Sequence, residues 1–341
     1  MDVRAGRYRK IHASPVANRM KEIPLRLAYK LLTYVADVLE DVFWSPQPWK
    51  PFPCSDNSLK GKLQICEIDE YDDGEIVDMH FNAMAAGQGL SESVNSFGGL
   101  IISKIADGVI VKRSSGRNFH EVFQTPHEAL ALETVRAQTS IPVPRVFRTI
   151  QTDLVPGYIF YAMEFVDGQQ LGEVWPTLSI WGKMRVSWTL RSYVRQLRRI
   201  ESTLSSVPGP LGDKPQLCDG YIFESRYAGP FSDITSLSKW FRERVGVNRA
   251  ITRRPPSKYD PFEDCKRMVF THLDLNMRNI LVGKDGRVWI VDWDGSGFYP
   301  EWFEYMSMSF AEQEGPTSWQ LCIPFIADPY IERLRWYQLQ E

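Results

Sequence analysis

Three polar side chains near the end of the chain have types and spacing that suit metal binding and proton transfer. Asp274 and Asn279 precede a short apolar run at 280–282, and Asp292 follows a second apolar run at 288–291. The residues between the two runs, Gly-Lys-Asp-Gly at 283–286, favour a β-hairpin. Because a hairpin brings the outer ends of its strands together, we predict that the three side chains converge on one site.

Phosphoryl transfer from a nucleotide requires oxygen ligands for Mg²⁺ and a carboxylate that orients and deprotonates the acceptor. Mg²⁺ prefers carboxylate and carbonyl oxygens, which Asn279 and Asp292 provide. Asp274 then remains as the catalytic base. A single aspartate in a loop more often caps local backbone, but that interpretation must explain three coincident polar positions and a hairpin. His272 is expected to be structural.

The order and spacing of these residues resemble the catalytic loop of kinases and the metal-binding aspartate that follows it. The matching positions are His272-x-Asp274-x-x-x-x-Asn279 and then Val291-Asp292-Trp293. In this form they are most similar to the aminoglycoside phosphotransferase and choline kinase superfamily, in particular its fungal branch, where Asp-Trp replaces the Asp-Phe-Gly of protein kinases. The resemblance implies an α+β, protein-kinase-like fold of two lobes, with ATP and Mg²⁺ as cofactors and a small-molecule acceptor.

The same resemblance divides the chain into a leader of unknown role at 1–88, a small β-rich lobe at 89–163 and a mainly helical lobe at 164–341. In the small lobe, two β-rich runs meet at the hairpin dipeptide Asp107-Gly108. The second run ends in Lys112, which resembles the lysine that holds the α- and β-phosphates of ATP in kinases.

A helix is predicted to begin near Pro126. The face of this helix that packs on the core contains Glu128, Leu132 and Val135. A carboxylate on an apolar face needs a partner, and we predict that Lys112 pairs with Glu128. The glycine-rich phosphate loop of kinases is reduced to Gly98-Gly99, which weakens the case for ATP.

The stretch 158–168 predicts a buried strand that runs into a turn, and it resembles the linker between kinase lobes. The resemblance implies that Met163 guards the adenine pocket and that main-chain groups of Glu164 and Val166 hold the base. The alternative is a plain core strand.

Composition excludes several function classes. The formal net charge of −2 favours neither nucleic acid nor an anionic membrane as a partner. The five cysteines are scattered without a C-x-x-C pair, which suits a reducing compartment and a cytoplasmic protein. The basic, acid-poor start also resembles a mitochondrial transit peptide, although serine is scarce there.

An amphipathic helix is predicted at 24–43, since charged residues interrupt its apolar stretch too often for a transmembrane span. Its apolar face should contain Leu25, Ala28, Leu32, Val35 and Leu39. A second helix is predicted at 184–204, with Val186, Leu190, Val194, Leu197 and Ile200 at helical spacing.

Residues 169–265, expected to form the acceptor wall together with the tail, contain more Lys and Arg than Asp and Glu. This balance argues against a polycationic aminoglycoside as acceptor. The alternative to an enzyme is an inactive nucleotide-binding pseudokinase or scaffold. A protein kinase is a weaker hypothesis, because no Ala-Pro-Glu segment follows Asp292. Neither the acceptor nor the oligomeric state follows from the sequence.

Overall fold

Four antiparallel strands form the sheet of the small lobe. In the computed structural model they are β1 (Ile102–Ala106), β2 (Val109–Ser114), β3 (Val146–Gln151) and β4 (Ile159–Glu164), in the order β1-β2-β4-β3. The structure describes residues 19–43, 67–90, 102–114, 126–152, 158–223, 227–255, 259–265, 267–311 and 315–338, with side chains of the first segment described at 27–39. Gly108 turns β1 into β2 at φ +80°, which confirms the predicted hairpin.

Helix α3 (His127–Gln138) covers the inner side of this sheet. Pro126 precedes its first turn, where the missing N–H of proline costs nothing. Leu132 and Val135 are buried and Glu133 is exposed, as the helical periodicity predicts. The helix therefore turns Glu128 toward β2, the strand that contains Lys112.

Helix α2 (Asp73–Ala85) packs against β1. A capping box between Asp72 and Glu75 begins the helix. The buried ring of His80 is 2.7 Å, Nδ1 to Oγ, from Ser103 on β1, and the Leu90 amide donates to the Ile102 carbonyl at 3.0 Å. Residues 67–90, most of which fall in the segment assigned to a leader, thus pack as part of the small lobe.

The large lobe contains helices α4 (Leu171–Val174), α5 (Ile180–Leu197), α6 (Ile234–Ile251), α7 (Phe303–Ala311), α8 (Thr317–Gln320), α9 (Ile323–Ile326) and α10 (Ile331–Gln338). Its two small sheets are β6 (Gly209–Pro210), β10 (Gly297–Pro300) and β7 (Met268–Thr271), and β5 (Gly168–Gln170), β8 (Ile280–Gly283) and β9 (Val288–Ile290). The described fold confirms the predicted α+β architecture of two lobes.

Helix α5 forms the centre of the large-lobe core. The five apolar residues predicted at helical spacing from Val186 to Ile200 are all buried. The helix ends at Leu197, seven residues before the predicted end, and Ile200 enters the core from the loop that follows.

Helix α1 (Arg19–Phe43) confirms the helix predicted at 24–43 and begins five residues earlier. Leu32, Val35 and Leu39 are exposed, whereas Thr33 and Ala36 are buried against the large lobe. Buried Arg191 binds the polar side of the helix, because its guanidinium donates to the Thr33 carbonyl and to the Asp37 carboxylate. Within the described residues, none of the helices has the length and hydrophobicity to cross a bilayer.

Candidate active site

The hairpin β8–β9 brings the predicted site residues together. Its strands pair with Ile280 opposite Ile290, and Gly286 makes the turn at φ +79°. The Val291 amide donates to the Asn279 carbonyl at 3.0 Å, so the chain positions just before β8 and just after β9 are adjacent. This confirms the predicted hairpin and places Asn279 beside the segment that contains Asp292.

Asp274 is held by two amide side chains. The Nδ2 of Asn276 donates to its Oδ1 at 2.8 Å, and the Nδ2 of Asn279 donates to its Oδ2 at 2.9 Å. Both amides also donate to the Asp274 carbonyl. The carboxylate therefore has a fixed orientation before any substrate binds, which is the preorganisation that a catalytic group needs.

Burial and the nearby negative charge of Asp292 raise the pKa of Asp274 to about 7. The hydrogen bonds from Asn276 and Asn279 and the positive charge of Arg278 oppose this shift. A carboxylate with a pKa near neutrality can accept a proton at physiological pH and still release it afterwards.

Lys112 connects the two lobes. Its Nζ forms an ion pair with Glu128 of α3 and lies 2.7 Å from Oδ1 of Asp292. Burial acts to lower the pKa of Lys112, but the charges of Asp292 and Glu128 outweigh it and hold this pKa above its ordinary value. The lysine is therefore charged at neutral pH, and its predicted partner is confirmed.

Glu128 also accepts hydrogen bonds from two residues other than Lys112. The hydroxyl of Tyr161 donates to its Oε2 at 2.5 Å, and the backbone amide of Trp293 donates to its Oε1 at 3.2 Å. Since Trp293 directly follows Asp292, this carboxylate ties both Lys112 and the candidate metal-binding segment to α3.

Two backbone positions in the site adopt the left-handed conformation. Leu273 has φ +69° and Asp292 has φ +63°. For a branched residue such as leucine this conformation costs of order 1–3 kcal/mol. Complete burial of the Leu273 side chain contributes a similar amount in the opposite direction, about 1.5–3 kcal/mol. Strained backbone at Asp292 and at Leu273, directly before Asp274, is typical of functional sites.

His272 and Glu304 stabilise the loop that contains Asp274. The imidazole accepts from the Asp274 amide at 3.2 Å and lies 3.1 Å from the Val291 carbonyl, and burial lowers its pKa to about 4. A neutral, buried ring confirms the structural role expected of His272. Glu304 of α7 accepts from the His272 amide at 2.7 Å, and burial raises its pKa to about 7.

The candidate metal ligands offer the chemistry that Mg²⁺ prefers. The Asp292 side chain is 48% exposed, and within the described residues only its Oδ1 is engaged. The Nδ2 of Asn279 is used by Asp274, whereas its amide oxygen accepts no hydrogen bond from another described residue. No group of three or more His, Cys, Asp and Glu side chains suitable for a metal occurs in the described ranges. One carboxylate and one amide nevertheless fit Mg²⁺, which commonly takes few protein ligands and completes its shell with phosphates and water.

The residues predicted to hold a nucleotide base lie where the lobes meet. Met163 is buried at the end of β4, paired with Ile110 and Val146. The Glu164 amide donates to the Arg145 carbonyl at 2.8 Å, so it is already used within the protein. The amide of Val166 donates to no other backbone group in the described part of the chain. Gly98 and Gly99 lie outside the described residues.

Sequence reasoning missed Asn276, Tyr161 and Glu304. Asn276 carried a usable signal, because an amide two residues after a catalytic aspartate can reach back to it. Tyr161 is 33 positions from Glu128, and Glu304 is 32 positions from His272. Neither pair follows a local periodicity, so the sequence contained no signal for them.

The family comparison covers both lobes. Residues 105–339 match the family described as the phosphotransferase enzyme family. This range includes Lys112, Glu128 and the whole hairpin region, and it spans well over half of the chain. A comparison with curated proteins finds no match.

Several solved structures of aminoglycoside phosphotransferases are similar to this chain. A thermostable mutant of APH(4)-Ia, in ternary complex with ADP and hygromycin B, is 15% identical over 70% of this chain and 78% of that one, with a TM-score of 0.42. APH(2")-IIia, in its GDP and kanamycin complex, is 14% identical over 76% of this chain and 86% of that one, with a TM-score of 0.44. Spectinomycin phosphotransferase APH(9)-Ia, with ADP and spectinomycin, is 15% identical over 69% of this chain and 73% of that one, with a TM-score of 0.38.

The family match, which does not depend on these structures, agrees with the superfamily that the catalytic loop resembles. The chain belongs to the phosphotransferase enzyme family.

Proposed function

We propose that this protein transfers a phosphoryl group from ATP, with Mg²⁺, to a hydroxyl or amine of a small molecule. One observation carries the proposal: Lys112 of the small lobe is paired with both Glu128 and Asp292, and Asp292 in turn raises the pKa of Asp274. A phosphate-binding cation, a metal-binding carboxylate and a candidate base therefore belong to one electrostatic network.

Asp274 orients the acceptor and receives its proton. Its Oδ1 and Oδ2 each accept one amide hydrogen bond, which leaves lone pairs on both oxygens for a substrate O–H or N–H. General base catalysis of this kind contributes about 10²–10⁴ in rate. Orientation of the two substrates supplies most of the remainder.

Lys112 would steady the α- and β-phosphates, with Glu128 fixing the position of its ammonium group. Asn279 and Asp292 would hold Mg²⁺, which neutralises phosphate charge when bound. Met163, Glu164 and Val166 would surround the adenine. The proposal requires Lys112 to turn from Asp292 toward phosphate, and the exposed half of the Asp292 side chain is the side available to metal.

The acceptor is expected to differ from a polycationic aminoglycoside, because residues 169–265 contain more basic than acidic residues. A cytoplasmic location is proposed on the basis of the scattered cysteines.

Calorimetric titration with ATP, with and without MgCl₂, tests the nucleotide and metal parts of the proposal. We expect Mg²⁺ to strengthen ATP binding to the wild-type protein and to have little effect on Asp292→Ala, because that variant lacks a metal ligand. Equal Mg²⁺ dependence in both proteins would contradict the assignment of Asp292.

Turnover is tested by incubating the protein with ATP and a small-molecule extract and searching for products heavier by one phosphoryl group. Asp274→Asn should lower the rate by about 10²–10⁴ while leaving ATP binding intact. Asp264→Asn is the control, since it removes an exposed carboxylate that pairs with Arg333 of α10. ATP binding without turnover, unchanged by Asp274→Asn, would favour the inactive scaffold.

A further inference from the structure

Helix α1 presents a continuous apolar surface away from the rest of the described chain. Leu27, Leu31 and Tyr34 are 63%, 64% and 67% exposed, and Val38 continues the same line. Leu32, Val35 and Leu39 are exposed beside them. A contiguous apolar surface of this kind usually marks an interaction site.

The helix cannot bury this surface by rotating on the large lobe. Arg191 is almost completely buried, and its guanidinium binds the Asp37 side chain and the Thr33 carbonyl on the opposite side of α1. The Tyr29 hydroxyl donates to the Leu321 carbonyl at 2.7 Å on that same side. Rotation would remove a carboxylate from a buried guanidinium, which is strongly unfavourable. The apolar face is therefore held outward.

The spacing of the outward residues is that of a helix-pairing seam. Leu27, Leu31, Tyr34 and Val38 follow one another at intervals of four, three and four residues. This is the a and d pattern with which two helices pack knobs into holes. The four positions therefore suit another helix better than a flat surface.

The charges along α1 indicate which helix would pack against it. Residues 19–30 contain four basic residues and one acidic residue, whereas residues 31–43 contain three acidic residues and no basic one. Two antiparallel copies would place each basic half beside an acidic half. A parallel pair would place like charges together, and an anionic membrane would repel the acidic half.

We propose that α1 pairs with α1 of a second copy of this chain, antiparallel, about a two-fold axis between residues 32 and 33. In this register Leu27 lies opposite Val38 of the other copy, and Leu31 lies opposite Tyr34. A helix of 25 residues is about 37 Å long, so the interface is narrow and the dimer dissociates on dilution.

Sedimentation velocity of the full chain over a wide range of protein concentration tests the proposal. We expect a monomer of 39.3 kDa at low concentration and twice that mass at high concentration. Leu31→Glu should remain monomeric, and so should Val38→Glu, an independent variant at the edge of the seam. Ile251→Glu is the matched control, because it also places a charge on an exposed apolar site, on α6, and it should dimerise like the wild type.

A wild-type protein that stays monomeric at every concentration would overturn the proposal. So would dimerisation of Leu31→Glu and Val38→Glu as strong as that of the wild type. Circular dichroism checks that the variants keep their helical content, which substitution of exposed side chains should preserve.

Cysteine crosslinking tests the orientation. A mixture of Leu27→Cys and Val38→Cys proteins should form a disulfide between positions 27 and 38, identified by mass spectrometry of the linked peptides. Leu27→Cys alone should not link to itself through position 27. Self-linkage at 27 would refute the antiparallel register, and binding of a monomeric wild type to phosphatidylserine vesicles would assign the face to a membrane instead.

Discussion

Replacement of Glu128 by glutamine is the sharpest test of the network between the lobes. Glutamine keeps one oxygen, which can still accept from the Trp293 amide. Its NH₂ group would face two donors, the Lys112 ammonium and the Tyr161 hydroxyl, which both point at Oε2 of Glu128. The substitution therefore removes a charge and also creates donor-to-donor contacts.

The expected magnitude follows from the remaining partners. Removing one member of a buried ion pair costs about 3–5 kcal/mol. Lys112 keeps Asp292 at 2.7 Å, so we expect the lower end, about 3 kcal/mol. Tyr161→Phe is the comparison variant, because it removes one hydrogen bond to the same oxygen and leaves the ion pair intact, at a cost of about 1 kcal/mol.

Urea unfolding followed by tryptophan fluorescence measures both variants, and nucleotide calorimetry measures the effect on Lys112. Without Glu128 the lysine is drawn toward Asp292 alone, so we expect the dissociation constant for ATP to rise about tenfold, equal to about 1.4 kcal/mol. A Glu128→Gln protein that unfolds within about 1 kcal/mol of the wild type and binds ATP equally well would refute the role given to this carboxylate.

Three further predictions concern other parts of the site. Burial raises the pKa of Glu304 to about 7, so at pH values between the ordinary pKa of glutamate and 7 the folded state binds a proton that the unfolded state has released. Stability should therefore fall by about 2.5 kcal/mol as pH rises from 5 to 8. Glu304→Gln should lose this component of the pH dependence in urea unfolding, and an unchanged slope would contradict it. At Gly168 an added Cβ would lie 2.7 Å from the Val282 carbonyl oxygen, so Gly168→Ala should lower stability by about 1–3 kcal/mol, whereas Gly172→Ala, with ordinary contacts, should have little effect on the melting temperature. Asn276→Ala frees one oxygen of Asp274, the candidate base, and we expect kcat to fall at least about tenfold with the KM for ATP unchanged; a change in KM alone would argue against a positioning role.

Local patterns determined the parts of the site that lie close together in sequence. The spacing of Asp274, Asn279 and Asp292 around a turn-forming tetrapeptide was sufficient to predict the hairpin and its convergence. Helical periodicity placed Glu128 on the buried side of α3, and its charge then required a cation such as Lys112. These predictions succeeded because hairpins and amphipathic helices are fixed by residues only a few positions apart.

Only the tertiary structure decided which surfaces cover one another. The apolar pattern of α1 predicted a helix, but the choice of its buried side depends on Arg191, more than 150 positions away. The packing of 67–90 on β1 and the support of His272 by Glu304 also join distant segments. The pKa of Asp274 near neutrality has the same origin, because burial is produced by the whole fold and appears in no local spacing of residues.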